Sequence, residues 1–180
     1  MPGRNILERL FAHDITSVEP RIVDLEEPIQ IIGMGVDTDL KNVFRDIPSL
    51  GRQFAKHKHV IPNKKEPWGF AAVSKGLDQA KGTFRYFMGD QVTTLEQVTD
   101  GLKALEIPAL KYAVFPIRPK NPLGWPMAIA SAKKYIYGTW LPNSCYEPAG
   151  PVNDFEYHDE RSLRKGNAEI DLYVAIKERV

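Results

Sequence analysis

The sequence predicts an α+β fold: a strand–helix–strand–strand module occurs twice and forms one curved antiparallel sheet with two helices on one face. An internal repeat is the main evidence, because Leu-Glu-Glu-Pro at residues 25–28 returns 80 positions later as Leu-Glu-Ile-Pro at residues 105–108. Ile-Pro-Asn at residues 61–63 and Leu-Pro-Asn at residues 141–143 are separated by the same 80 positions. A repeat of this period, with helix and strand patterns in the same order, predicts two copies of one structural unit.

The first copy is expected to cover about residues 19–92. Its helix is predicted to begin near Pro48, since proline suits a first helical turn and Asp46 can cap it. The apolar stripe of this helix consists of Ile47, Leu50 and Phe54. The predicted strands cover residues 21–36, 68–74 and 82–89, and a linker follows over residues 94–102.

The second copy is expected to cover about residues 103–180. Its helix is predicted by apolar residues that recur every three or four positions. These residues are Trp125, Ile129, Ala132, Ile136 and Trp140, and the predicted strands are residues 105–117, 155–159 and 169–177. Residues 1–18 lie outside the repeat and are interpreted as an N-terminal extension. We expect this extension to dock either on its own domain or on a second copy of the protein. The second case would give a homodimer.

The composition describes a soluble globular protein and excludes several classes of function. Lys and Arg number 24 against 23 Asp and Glu, so the net charge of +1 creates no field that attracts nucleic acid or an anionic membrane. A single cysteine excludes an internal disulfide framework. No apolar run approaches the roughly 20 residues of a membrane span, and the N-terminus lacks a signal-peptide core. The sequence therefore predicts a cytoplasmic protein without direct contact to nucleic acid or membrane.

The strand around residue 156 suggests a small-molecule pocket. Alternation directs Phe155 and Tyr157 to one face of this strand and Glu156 to the other. A carboxylate among aromatic residues is poorly solvated, so it needs a partner, a proton or a cationic ligand. In the last strand, alternate residues from Ile170 are assigned to the helix face. Tyr173 and Glu156 are therefore expected to share the opposite face.

The repeat extends this aromatic face into the first copy. The residues expected around Glu156 are Trp68, Phe70, Phe84, Tyr86, Met88, Tyr112, Tyr173 and Trp140, with Tyr146 at the rim. Exposed aromatic surface of that size is unfavourable, so a cleft that encloses a ligand is predicted. The alternative is a second small core in which Glu156 bonds to a backbone amide or a tyrosine.

Three other patterns are interpreted as structural. The segment Gly33-Met-Gly35 lacks the third glycine of a dinucleotide-binding loop and falls within a predicted strand. His57 and His59 have no evident third ligand, so no metal site is expected. Cys145 would need His158 as a base to act as a nucleophile, and no sequence feature brings the two together. No cofactor is expected.

Four segments of the second copy resemble the gyrase-inhibitor-like family, which shares its fold with the effector-binding domains of AraC-type and MerR-type multidrug regulators. These segments are residues 106–115, 135–144, 155–161 and 168–177, in the order and spacing of the family. The first copy matches more loosely, through residues 84–89 and the linker around residues 100–101. The resemblance is highly specific for the fold and much less specific for the ligand.

The resemblance implies a pocket for hydrophobic, often cationic compounds. Glu156 falls where the multidrug-binding members place the carboxylate that meets the charge of the ligand. Tyr112 and Tyr173 fall in strands that usually contribute aromatic residues to the pocket. Cys145 stands where the family commonly has glycine, which implies a different bend of that loop. The resemblance does not extend to a DNA-binding domain, so a stand-alone bacterial binding protein is expected.

The sequence leaves three functions open, of which the first is favoured. It is a binding protein for a lipophilic, cationic small molecule, with no catalytic residue. The second is a hydrolase of small strained hydrophobic compounds, which some stand-alone members resemble. In that case Glu156 would act as general acid or base while Tyr173 or Tyr86 polarises the substrate. The third is a protein inhibitor of gyrase, which no distinctive surface pattern favours.

Overall fold

The structure is a computed structural model that describes residues 18–78 and 80–179. In this part of the chain, nine strands form one antiparallel sheet and two main helices pack against it. The strands are β1 (Arg21–Asp24), β2 (Ile29–Asp39), β3 (Phe70–Asp78), β4 (Thr83–Gln91), β5 (Lys103–Ile107), β6 (Lys111–Ile117), β7 (Tyr146–Pro148), β8 (Val152–His158) and β9 (Ile170–Glu178). The predicted α+β fold class is confirmed.

The strand order reflects the internal duplication. Across the sheet the strands follow the order β1-β6-β9-β8-β3-β4-β2-β5, and β7 lies beside β9. The triplet β2-β4-β3 thus corresponds to β6-β9-β8, and β3 meets β8 at the centre. The strand that precedes each copy in the chain pairs with the other copy. Strand β1, which comes before β2, pairs with β6, and strand β5, which comes before β6, pairs with β2. These exchanged edge strands join the two copies into one sheet.

Helix α1 covers Val43–His57 and begins earlier than predicted. The predicted start near Pro48 is wrong, since Pro48 lies inside the helix. Asp39 explains the earlier start: its carboxylate accepts a hydrogen bond from the backbone amide of Asn42 at 2.9 Å. Such a turn ends β2 and leads directly into the helix. Asp46, the expected cap, lies in the first helical turn instead.

Helix α2 covers Trp125–Tyr135 and continues as a π-helical segment, Ile136–Trp140, and a final turn, Leu141–Asn143. The predicted helical periodicity is confirmed, because Ala132 and Ile136 are buried against the sheet. A π-helical segment widens the backbone locally and often occurs at functional sites.

Both helices lie on the same face of the sheet. Ala72, Glu156 and Leu172 are direct neighbours in the register of β3, β8 and β9, so their side chains share a face. Ala72 belongs to the apolar core that contains Leu50 of α1. Leu172 belongs to the core that contains Ala132 of α2. We call this side the helix face.

The side away from the helices is a second apolar core. Phe155 and Tyr112 are fully buried there. The rings of Phe155 and Tyr173 stack with centroids 4.5 Å apart, and the Tyr112 ring contacts Phe155 edge-on at 5.4 Å. This face is therefore an apolar core of aliphatic residues and packed aromatic rings.

Two facing glycines allow β2 and β4 to approach closely. Gly33 pairs with Gly89 in the register. A Cβ atom on Gly33 would lie 1.8 Å from the Met88 carbonyl oxygen, which no backbone contact tolerates. This agrees with the interpretation of Gly33 as a packing residue of a strand.

Gly33→Ala is expected to lower the free energy of unfolding by about 2 kcal/mol, because the added methyl group must push two backbones apart. The measurement is urea unfolding monitored by circular dichroism. Gly51→Ala is the matched control: its Cβ meets no atom within 4 Å, so the higher helix propensity of alanine should raise stability by up to about 1 kcal/mol. Equal effects of the two substitutions would contradict this account.

Residues 1–17 of the predicted N-terminal extension lie outside the described residues. The docking of the extension, the homodimer and the boundaries of the two copies therefore stay predictions. Within residues 18–78 and 80–179, none of the helices has the length and apolar composition that a membrane crossing requires.

Candidate functional site

The centre of the helix face lies between the two helices. Helix α1 lies mainly over β2 and β4, and α2 contacts β6, so β3 and β8 lie between them. Alternate residues of these two strands form the floor, and we call this region the central groove. Its floor pairs are Phe70 with His158, Ala72 with Glu156, and Ser74 with Asp154.

Two carboxylates lie side by side on the floor and are almost inaccessible to water. Asp154 is 3% exposed and Glu156 is 6% exposed. Lys133 of α2 reaches both, with its Nζ atom 2.8 Å from Asp154 Oδ1 and 3.4 Å from Glu156 Oε1. The same ammonium donates a hydrogen bond to Ser74 Oγ at 3.3 Å. Buried carboxylates of this kind require such a counter-charge.

Two tyrosine hydroxyls complete the surroundings of the carboxylates. Tyr86 donates to Glu156 Oε2 at 3.4 Å, and Tyr137 of the π-helical segment donates to Asp154 Oδ2 at 2.7 Å. Burial, followed by the nearby Glu156 and Asp154 charges, raises the pKa of Tyr86 well above its usual value. Tyr86 therefore stays a neutral hydrogen-bond donor at neutral pH.

Glu156 remains ionised although it is buried. Burial alone would raise the pKa of Glu156, but the Lys133 ammonium and the His158 side chain together lower it below its usual value. Burial likewise opposes the charge of Lys133, while Asp154 and Glu156 raise its pKa. The three groups carry two negative charges and one positive charge. The formal charges of these three groups sum to −1, and His158 lies beside them with its Nε2 atom 3.9 Å from Glu156 Oε2.

Aromatic rings extend the groove from this cluster towards the first copy. The Phe70 and His158 rings contact edge-on with centroids 5.4 Å apart. Trp125, at the start of α2, lies 6.0 Å from the His158 ring, and Phe54 of α1 lies 5.9 Å from the Phe70 ring. Trp68 stands beside them and donates through its indole nitrogen to Asp90 Oδ1 at 3.3 Å.

The structure brings together some of the residues predicted around Glu156. Tyr86 contacts Glu156 directly, and the registers of β3, β4 and β8 place Met88, Phe70 and Phe84 on the same face. Phe84 lies towards the sheet end, where it lines an open surface cleft of about 530 Å³. A second open cleft of about 600 Å³ lies near β7 and β9, and Glu156 lines neither of the two.

Other predicted residues lie elsewhere. The expectation that Tyr112 and Tyr173 share a face with Glu156 is wrong, because the register pairs Glu156 with Leu172 and Phe155 with Tyr173. Both tyrosines belong to the core on the opposite face. Trp140 packs edge-on against Phe115 at 5.1 Å and stacks on Tyr146 at 6.2 Å, in the core under the far end of α2.

Sequence reasoning missed several residues of the groove. Asp154 was detectable, because it lies two positions before Glu156 on the same strand and therefore on the same face. Lys133 and Tyr137 stand four positions apart at the edge of the apolar stripe of α2, which was a weaker signal. Trp125 was interpreted as a core residue, and His158 only as a partner of Cys145. Cys145 is exposed in the loop before β7.

The chain thus has a duplicated sheet with both helices on one face and a charged cluster between them. The family of integron-associated effector binding proteins matches residues 21–176, and the chain belongs to this family. The predicted relationship to effector-binding domains is thereby confirmed.

A sequence relative is the transcriptional regulator BrlR of Pseudomonas aeruginosa, which is 34% identical over 134 residues. The match covers 72% of this chain and 46% of BrlR, so the chain spans about half the length of that regulator. An integron cassette protein from the mobile metagenome of Vibrio cholerae has a similar fold, with a TM-score of 0.61 and 12% identity. That alignment covers 88% of this chain and 96% of the cassette protein.

The protein SAV2435, whose structure was solved with bound tetraphenylphosphonium, is similar with a TM-score of 0.65 and 11% identity. The alignment covers 89% of this chain and 94% of SAV2435. At these identities the two structural similarities support the fold alone.

Proposed function

We propose that the central groove binds a lipophilic organic cation. The positive charge lies against Asp154 and Glu156, and the apolar part packs against the rings of Phe70, Trp125 and Tyr86. The observation that carries this proposal is a pair of buried carboxylates, Asp154 and Glu156, that share the single ammonium of Lys133 at the floor of the groove. Membership of an effector-binding family and the tetraphenylphosphonium bound to SAV2435 support it.

A lipophilic cation satisfies the physical requirements of this cluster. A buried charge without compensation is unfavourable, so a ligand that supplies the missing positive charge is stabilised relative to a neutral ligand of equal shape. Aromatic faces around the site add a cation–π attraction of about 0.5–2 kcal/mol. Apolar groups of the ligand gain free energy from burial between the helices.

Lys133 competes with such a ligand. Its ammonium occupies the position between the two carboxylates, and its side chain is 24% exposed, so a path to solvent exists. Lysine is attached through a flexible four-carbon stem, and its ammonium can move while the stem stays packed. A cationic ligand therefore enters by displacing Lys133 or by sharing the carboxylates with it.

The test is binding of tetraphenylphosphonium and of tetraphenylborate, two ions of nearly equal shape and opposite charge, measured by isothermal titration calorimetry. The phosphonium ion is expected to bind and the borate ion is not. Lys133→Met keeps most of the stem and removes the competing charge, so affinity for the phosphonium ion should rise by about tenfold, or about 1.4 kcal/mol. Lys134→Met is the control, since it removes the same charge from an exposed position of α2. Equal binding of both ions would refute the proposal.

A further inference from the structure

We infer that the ligand of the central groove is amphoteric: its cationic group lies at Asp154 and Glu156, and an anionic group lies at a second charged cluster formed by Lys58, Lys64 and Asp90. This inference rests on the proposed function, because it extends the same groove towards the first copy. It specifies the ligand class further, as an elongated aromatic compound with opposite charges at its two ends.

The second cluster has an excess of positive charge. Asp90 is fully buried, and its two carboxylate oxygens each contact one ammonium: Lys58 Nζ lies 3.3 Å from Oδ1 and Lys64 Nζ lies 3.0 Å from Oδ2. One lysine is sufficient to neutralise this carboxylate. The cluster of two lysines and one aspartate therefore has a formal net charge of +1. The side chains of Lys58 and Lys64 are 39% and 29% exposed, so a ligand can approach the cluster from the solvent side, although Lys64 Nζ also donates to the Lys58 carbonyl oxygen at 2.7 Å.

The positively charged Lys58 lies over two aromatic rings of the groove. Lys58 Nζ is 4.8 Å from the centre of the Trp68 ring and 5.8 Å from the centre of the Phe70 ring. Phe70 in turn contacts His158, which neighbours Glu156. An aromatic ligand that packs on Phe70 therefore has an acidic cluster at one end and a basic cluster at the other.

The separation of the two clusters fits one small molecule. Asp90, Phe70 and His158 form a row across β4, β3 and β8, and Glu156 lies two residues further along β8. With strands about 4.8 Å apart and about 3.3 Å per residue along a strand, the Cα atoms of Asp90 and Glu156 are about 12 Å apart. Two linked aromatic rings with a charged substituent at each end span such a distance. The two net charges of −1 and +1 are then both compensated by one ligand.

The test uses three compounds with the same biphenyl core. 4′-(Aminomethyl)biphenyl-4-carboxylic acid carries both charges, its methyl ester carries only the cation, and 4′-methylbiphenyl-4-carboxylic acid carries only the anion. We expect calorimetry to show at least tenfold tighter binding of the amphoteric compound than of its ester. Lys58→Met should remove this difference, while Asp90 keeps Lys64 and the Trp68 indole as partners. Lys64→Met is the second variant should Lys58→Met fold poorly, and the exposed Lys65→Met is the control.

The outcomes separate this inference from the proposed function. If the ester binds as tightly as the amphoteric compound, the basic cluster has no ligand and only the cation site stands. If the carboxylic acid without an amine binds as tightly as the amphoteric compound, the cation site is refuted. Absence of binding by all three compounds would refute the amphoteric ligand, and the tetraphenylphosphonium titration then decides the cation site separately.

Discussion

Glu156→Gln is expected to weaken binding of tetraphenylphosphonium by about 1–3 kcal/mol, which is roughly 5- to 150-fold in the dissociation constant. The substitution keeps the size of the side chain and removes one of the two negative charges. Asp154 and Lys133 then neutralise each other, so the net charge of −1 that favours a cation disappears. Binding of neutral aromatic compounds should stay equal or improve, because a buried carboxylate no longer loses its solvation.

The same variant separates binding from catalysis. If the protein is a hydrolase of small strained compounds, neutral substrates should still bind to Glu156→Gln while turnover falls by roughly 10²–10⁴, the usual contribution of a general acid or base. Glu106→Gln is the control, since Glu106 is exposed on the edge strand β5. A Glu156→Gln protein that retains its affinity for the cation and any activity would exclude Glu156 from both roles.

Phe155→Ala is expected to lower the free energy of unfolding by about 3–5 kcal/mol, the usual effect of removing a fully buried aromatic ring. Phe155 is 0% exposed and lies between the rings of Tyr173, at 4.5 Å, and Tyr112, at 5.4 Å. Its removal leaves a cavity at the centre of the core behind the sheet, and both tyrosines lose their main aromatic partner. Equilibrium unfolding in urea provides the measurement.

Phe44→Ala is the matched control for this prediction. Phe44 lies on α1 and is 67% exposed, so its truncation removes little buried surface and should change stability by less than about 0.5 kcal/mol. If Phe155 instead lined a ligand pocket, its truncation would change ligand affinity and have only a small effect on stability. That result would indicate that the ligand binds on the face of Tyr112 and Tyr173 and not on the helix face.

Most of the fold was predictable from the sequence. The repeat at 80 residues predicted the duplicated module, and the spacing from Trp125 to Trp140 predicted the second helix. Both signals are regular spacings in the sequence, of three or four residues in the helix and of 80 residues in the repeat. The start of α1 was missed because Asp39 ends β2 with a short turn, whereas Pro48 stands out more clearly in the sequence. The exchange of β1 and β5 between the copies has no signal in the local pattern, since it concerns pairing between distant strands.

The candidate site was predictable in part. Glu156 stood out as a carboxylate among aromatic residues, and Tyr86, Phe70 and Met88 were placed on its face. Lys133, the counter-ion of Glu156, lies on helix α2, whereas Glu156 lies on strand β8. Neither strand alternation nor the helical period relates the two residues. The basic cluster depends likewise on three residues, Lys58, Lys64 and Asp90, that come from a helix end, a loop and a strand.

Which residues share a face within one strand or helix follows from the sequence, because backbone periods of two and 3.6 residues fix these faces. Phe155 and Glu156 were thus correctly assigned to opposite faces. The tertiary structure alone decided how the faces of neighbouring strands combine. A shift of one residue in the pairing of β8 with β9 would place Glu156 beside Tyr173; the actual register places it beside Leu172, under the helices and within reach of Lys133. Register is set by the packing of the whole sheet, and so the environment of Glu156 is a property of the fold rather than of its local sequence.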